Sequence, residues 1–347
     1  MQSTKNIWTN AVRREGSDVK KRSIKKLSKK GVLIGTGIAV AGVAAGVAVS
    51  HLITKGLVKF AIERDMPKSL EKQRPKITQG DRIKAFQECI NETGKALLEK
   101  DIENVEIKSR DGLRLVGHWY PCENAKRVIV AMHGWRSAWY MDFGMIADFW
   151  HNEGCSILFA EQRAQNNSEG DYMTFGYMER YDCLDWIYWV NERTEQKYSV
   201  YLAGVSMGAS TVLMTAGLEL PENVKGVISD CGFTSAYDEW RYVVKDNMKL
   251  SYGLRGLMID RICQKKINTN SKNITTITAM QKTQIPILFI HGTDDKFVPV
   301  RMSYENYKAC NAPKELLIVP GAIHGQSYYV EQEKYETATK NFWNLYK

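Results

Sequence analysis

The sequence predicts an α/β fold: a mostly parallel sheet with helices on both faces and a small helical cap, preceded by one N-terminal transmembrane helix. Three observations carry this expectation. From residue 127 onward, short apolar runs alternate with helix-length segments, which is the pattern of βαβ units. One apolar run ends in "GVSMG", Gly204–Gly208, which sets a serine between two glycines at the entry to a helix-like run. Finally, the 24 residues Gly31–Thr54 hold no Lys, Arg, Asp or Glu. At about 1.5 Å per residue such a helix crosses a bilayer core.

The elements follow in order. Residues 1–30 form a basic arm, with ten Lys/Arg against Glu15 and Asp18. The remaining residues carry 38 basic and 37 acidic groups, so the net charge of +9 belongs to the arm and not to the main domain. That argues against a nucleic-acid-binding face. Residues 31–54 read as a single-pass membrane anchor. A cleaved signal peptide ending near "AVS" is the alternative, but the basic region and apolar run are both long for one. The pairs Gly31/Gly35 and Gly42/Gly46 have small-xxx-small spacing and raise self-association of this helix. Nine Lys/Arg in Arg13–Lys30 against seven in Lys55–Lys76 point to a main domain outside the cytoplasm. The seven cysteines lack C-x-x-C spacing, give no zinc site, and suit a reducing setting better. The two clues disagree about the side of the membrane.

Residues 55–100 read as a polar stalk followed by a leading helix from Gly80 to Lys100. The main domain, 101–347, begins with a hairpin, "VEIKSRDGLRLVGHWYP", turning at Asp111-Gly112. Strands then follow at 127–134, 156–161, 199–204, 224–230, 286–292 and 315–321. Helices are expected at Met141–Glu153, Met178–Glu195, Met207–Leu220, Arg301–Cys310 and Tyr328–Tyr346. Between Phe233 and Gln284 lie 52 residues, more than one crossover helix requires, which places a cap insert at about 233–284.

In a parallel sheet ligands bind beyond the carboxyl ends of the strands. Ser206 stands there, at a sharp strand-to-helix corner that exposes its hydroxyl. Of the six histidines, His324 follows the last strand in a glycine-containing loop and is the candidate base. His133 and His291 precede glycines at strand ends and read as loop braces. The orienting acid is Asp295 in "HGTDDKFVP", with Asp230 as its rival. An oxyanion would be held by the backbone N–H groups of Met207 and Trp135.

The order Ser206, Asp295, His324 after successive strands, with "HGW" (133–135), "GVSMG" (204–208), "HGTDDKFVP" (291–299) and "PGAIHG" (320–325), resembles the alpha/beta-hydrolase superfamily over about residues 103–347. Within it the chain looks like the bacterial membrane-anchored group related to serine aminopeptidases and monoacylglycerol lipases. The resemblance implies a serine hydrolase acting through an acyl-enzyme, without a metal or an organic cofactor. One loop departs from the group. In "FAEQRAQNNSEG", Glu161, Ala164 and Gln165 stand where the group has Asp, Gly and His.

An apolar cap on a membrane-tethered enzyme suits a lipid or acyl ester. Trp240, Val243, Val244 and Met248 fall on one helical face of that cap. Trp135, Tyr172, Phe175 and Trp240 are the candidate pocket residues. A peptidase would bind the substrate amino terminus through carboxylates such as Glu161, Glu169 or Asp171. An acyltransferase would use the same triad, and a non-catalytic tethered binding protein would need none of it.

Overall fold

The computed structural model describes residues 29–65 and 81–347, with side chains omitted for 29–45 and for 81 and 82. The arm before residue 29 and the stalk residues 66–80 lie outside the described residues. Two units are present, 1–49 and 50–347.

Helix α1 runs Lys29–Ile62, 34 residues, and carries the apolar stretch expected to cross a membrane. Among the described residues no helix is long and apolar enough to do so. The polar stalk expected from Lys55 is absent over its first residues. Residues 55–62 continue the helix, and Val58 and Ile62 are buried in the larger unit. Their apolar side chains sit one turn apart on a single face, which a composition count diluted by Lys55, Lys59 and Glu63 conceals.

After α2 (Asp81–Leu98) comes an antiparallel hairpin of β1 (Glu103–Lys108) and β2 (Arg114–Tyr120), with Gly112 at φ +92° in its turn. The sheet continues with β3 (Arg127–Met132), β4 (Cys155–Ala160), β5 (Ser199–Val205), β6 (Val224–Asp230), β7 (Ile287–Gly292) and β8 (Lys314–Val319). The eight strands lie in the order β1-β2-β4-β3-β5-β6-β7-β8, and every pair from β4 to β8 is parallel.

The segment between β3 and β4 forms two short helices, α3 (Trp139–Phe143) and α4 (Ala147–Asn152), rather than the single helix expected. Gly144 separates them where a Cβ would meet the backbone of Gly94 at 2.7 Å, so the chain bends around α2. Helices α5 (Glu179–Arg193) and α6 (Met207–Thr215) follow β4 and β5. The cap between β6 and β7 comprises α7 (Ala236–Tyr242), a π-turn (Val243–Asn247), α8 (Gly253–Ile267) and α9 (Ile277–Lys282). The chain closes with α10 (Arg301–Ala309), α11 (Ser327–Val330) and α12 (Gln332–Leu345).

Strand alternation divides the core. Val128, Val130 and Met132 face Trp186, Ile187, Val212 and Leu213 of α5 and α6 on one side of the sheet. Ile129 and Ala131 face Phe143, Trp150, Phe342 and Trp343 on the other. A third apolar cluster joins the end of α1 to the cap, through Val58, Ile62, Trp240, Val244 and Ile259. With both faces of the sheet covered, its free carboxyl edge is where groups can be presented.

Candidate active site

Ser206 occupies the corner between β5 and α6 with φ 56° and ψ −117°, a left-handed backbone that non-glycine residues rarely adopt. The flanking glycines explain how the corner closes. A Cβ on Gly204 would lie 2.3 Å from the Gly208 carbonyl oxygen, and one on Gly208 would lie 1.8 Å from that of Met132. The Ser206 N–H donates to the Asp230 carbonyl at 2.9 Å, which ties the corner to β6.

The loops after β7 and β8 bring the other two groups to it. His324 Nε2 stands 2.9 Å from Ser206 Oγ, and its Nδ1 stands 2.7 Å from Asp295 Oδ2. Nδ1–H thus donates to the carboxylate, leaving Nε2 to accept from the serine. Asp295 Oδ1 accepts the backbone N–H groups of Phe297 and Val298 at 2.8 and 2.9 Å. Burial raises the Asp295 carboxyl, but the His324 charge and the His291 hydrogen bond outweigh it and hold the group well below the usual carboxylate range. Burial works against protonation of His324, and the adjoining Cys231 and Asp295 overcome it, so this imidazole is raised well above 6.5.

The rival acid, Asp230, accepts from Ser327 Oγ at 2.9 Å, and burial pushes it up to about 6. It supports the loop that follows β8. The strand-end histidines also behave as braces. His133 Nδ1 donates to the Gly134 carbonyl while Nε2 accepts from the Gln162 N–H at 3.1 Å. His291 Nδ1 meets Ser303 Oγ at 2.6 Å, and its Nε2 lies 2.9 Å from the Val298 carbonyl and 3.2 Å from Asp295. That last contact, a second imidazole on the acid, is not legible from spacing alone.

Met207 follows the serine as the first residue of α6, Trp135 stands in the loop after β3, and both line the cavity at Ser206. That loop is fixed by Asp142, whose carboxylate accepts the Gly134 N–H at 2.6 Å and Ser137 Oγ at 2.6 Å. A cavity of about 220 Å³ opens at Ser206. Trp135, Phe175 and Trp240 line it as expected, and so do Val243, Val244 and Met248 of the cap. Phe175 is held at φ 55° by Glu179, which accepts the N–H groups of Thr174 and Gly176 at 2.6 and 2.9 Å.

Tyr172 is a correction. It does not line this cavity, because a bridge to Glu63 and an approach of 3.4 Å from Lys266 Nζ hold it beside the end of α1. Glu161 and Glu169 are likewise engaged elsewhere, Glu161 with His118 and Asn167 and Glu169 with the Arg114 N–H.

Sequence reading missed the wall supplied by α1. Leu57, Val58, Phe60 and Ala61 line the cavity. The carbonyls that end α1, left without helical partners, are capped by neighbouring side chains. Arg136 donates to Phe60 O at 2.8 Å and to Glu63 O and Arg64 O, while Trp135 Nε1 donates to Ala61 O at 2.8 Å. Arg136 itself sits at φ 50°.

A family model described as X-Pro dipeptidyl-peptidase (S15 family) matches residues 91–247. That is less than half of the chain, and it includes Ser206 but neither Asp295 nor His324. Among curated relatives, the uncharacterized protein YqkD of Bacillus subtilis is 24% identical over 189 residues, 54% of this chain and 62% of that protein. The match therefore spans less than two thirds of YqkD. YfhR of Escherichia coli K12 is 25% identical, covering 64% of this chain and 73% of that one. Among solved structures, a Pyrococcus furiosus esterase superposes with a TM-score of 0.60 at 21% identity, over 72% of this chain and 93% of its own. A Pyrococcus horikoshii acylaminoacyl peptidase gives 0.54 at 19%, over 73% and 43%. The sheet order and these likenesses define the fold: it is that of the alpha/beta hydrolases, and the S15 peptidase model covers its central part with Ser206.

Proposed function

We propose that this chain is a serine hydrolase that cleaves carboxylic esters with apolar acyl groups. The observation that carries the reading is the relay from Ser206 Oγ through His324 to Asp295, at 2.9 and 2.7 Å, opening onto a cavity lined almost wholly by apolar side chains. His324 Nε2 takes the Ser206 proton as Oγ attacks the ester carbonyl, and Asp295 stabilises the imidazolium. The Met207 and Trp135 N–H groups receive the oxyanion. His324 then protonates the departing alkoxide, leaving an acyl-enzyme. Water, deprotonated by the same imidazole, attacks the acyl carbon and returns the free acid and Ser206. The acyl group would lie against Trp240, Val244 and the end of α1.

The test uses the full chain with a fluorophosphonate probe and p-nitrophenyl esters of two to sixteen carbons. Labelling lost in Ser206→Ala, with a preferred chain length, supports the reading. Labelling and turnover equal in both proteins would overturn it.

We also propose that residues 31–54 anchor the chain in a membrane as part of α1. Their freedom from charge over 24 residues supports this. The double substitution Val40→Lys with Val43→Lys would then move the protein from the membrane fraction to the soluble one. Unchanged fractionation would remove the proposal.

A further inference from the structure

Six carboxylate side chains are buried in the described residues: Glu161, Glu179, Asp182, Asp230, Glu239 and Asp295. Five of them are held. Glu161 receives Asn167, Glu179 receives Gly176, Asp182 receives Arg163, Asp230 receives Ser327, and Asp295 receives His324. Glu239 is the exception. It is 3% exposed, and neither carboxyl oxygen has a hydrogen-bond partner. Among the described residues it is also the one acidic residue lining the cavity that opens at Ser206. A buried polar group without a partner costs stability unless something outside the fold completes it. Its place in a substrate cavity says where the completing group comes from.

The chemistry of that group follows from the surroundings. Among the described residues no Lys or Arg lines the cavity, and the positive groups that act on Glu239, His324 and Arg301, do so without a hydrogen bond to its carboxyl. The aromatic rings of Trp135, Phe175, Trp240 and Phe297 surround the same space. A carboxylate with aromatic faces is complementary to an alkylammonium group, through a charge-assisted hydrogen bond and cation–π attraction. We propose that Glu239 is a specificity residue that receives a primary amine carried on the acyl group, which makes amino-substituted acyl esters or amides the preferred substrates. This rests on the serine hydrolase reading and names the substrate class for that site. Burial pushes the Glu239 carboxyl up to about 8, which favours its neutral form. An arriving ammonium displaces that proton to solvent, and the bound pair carries no net charge.

The test compares p-nitrophenyl esters of straight acyl chains of six to ten carbons, each with and without a terminal amine, using the full chain and Glu239→Gln. The quantity read is the ratio of kcat/KM within each matched pair, so that any general loss in the variant cancels. At one chain length the wild type should favour the amine about tenfold or more, mostly through KM, and Glu239→Gln should bring that ratio close to one. Equal handling of both esters by the wild type at every length would overturn the proposal. So would a preference that survives in Glu239→Gln. Fluorophosphonate labelling of Ser206 separates the two levels. Intact labelling without an amine preference removes this inference alone, and absent labelling removes the hydrolase reading together with it.

Discussion

His324 sets the pH behaviour of the proposed reaction. It works as a base only when neutral, and contact with Asp295 and Cys231 raises its proton affinity well above the usual imidazole range. Ester hydrolysis should therefore rise with pH through a value above 6.5 and then level off; a profile already flat at pH 6 would contradict this. Replacing Asp295 by Asn leaves the shape but removes the charge that stabilises the imidazolium, and kcat should fall by about 10³–10⁴. Glu239 has the opposite consequence for stability. Its folded-state value, about 8, lies above its ordinary value, so its contribution is fully present below about 4.5. That contribution is lost as pH rises towards 8, where the buried group must ionise or hold its proton against solvent. Glu239→Gln should thus stabilise the fold more at pH 8 than at pH 5, by on the order of 1–3 kcal/mol as read by chemical denaturation at the two pH values. Gly208 sets a steric limit. An alanine there would drive its Cβ to 1.8 Å from the Met132 carbonyl, so Gly208→Ala should cost about 3 kcal/mol or more, read by chemical denaturation. The grouping of Ser206, Asp295 and His324 was legible in the sequence because each stands at a corner or loop shortly after the end of an apolar strand. Glu239 was not, because it sits among the charged letters "YDEWRY" and only tertiary packing buries it.

At the level of elements, the end of α1 belongs with the cap. Val58 and Ile62 bury their side chains in the same cluster as Trp240 and Ile259, and Arg136 fastens the terminal carbonyls. Arg136→Ala should loosen this turn by about 1.5–3 kcal/mol, the range for hydrogen bonds to charged donors. Limited proteolysis around Lys59–Arg64 would report it as faster cleavage while β-sheet signals persist. Removing residues 1–65 outright should open the acyl cavity and broaden the chain-length preference. The element pattern itself was readable: all eight strands and most helices follow from period and punctuation. Two helices expected to be continuous are each broken. Gly144 meets the backbone of Gly94 from a distant segment, and α11 and α12 part at Glu331, whose backbone leaves the helical region at ψ 58°. Only the first of these breaks has a long-range contact to explain it.

Across the larger unit, residues 50–347, the eight-stranded sheet delivers its chemistry at one edge. The serine, acid and imidazole arrive from the ends of β5, β7 and β8, and the apolar wall is added by segments from before β1 and after β6. Sequence patterning recovers the sheet because each strand announces itself locally. It does not recover the wall, because a helix far upstream in the chain contributes it. That contribution fixes a distance. Leu57 touches the cavity, and Thr54 ends the charge-free run three residues earlier on the same helix, about 4.5 Å along the axis. Within the unit 50–347 the cavity wall and the last residues of the charge-free run share one helix, so a substitution that shifts residues 54–57 reaches the cavity at Ser206 directly.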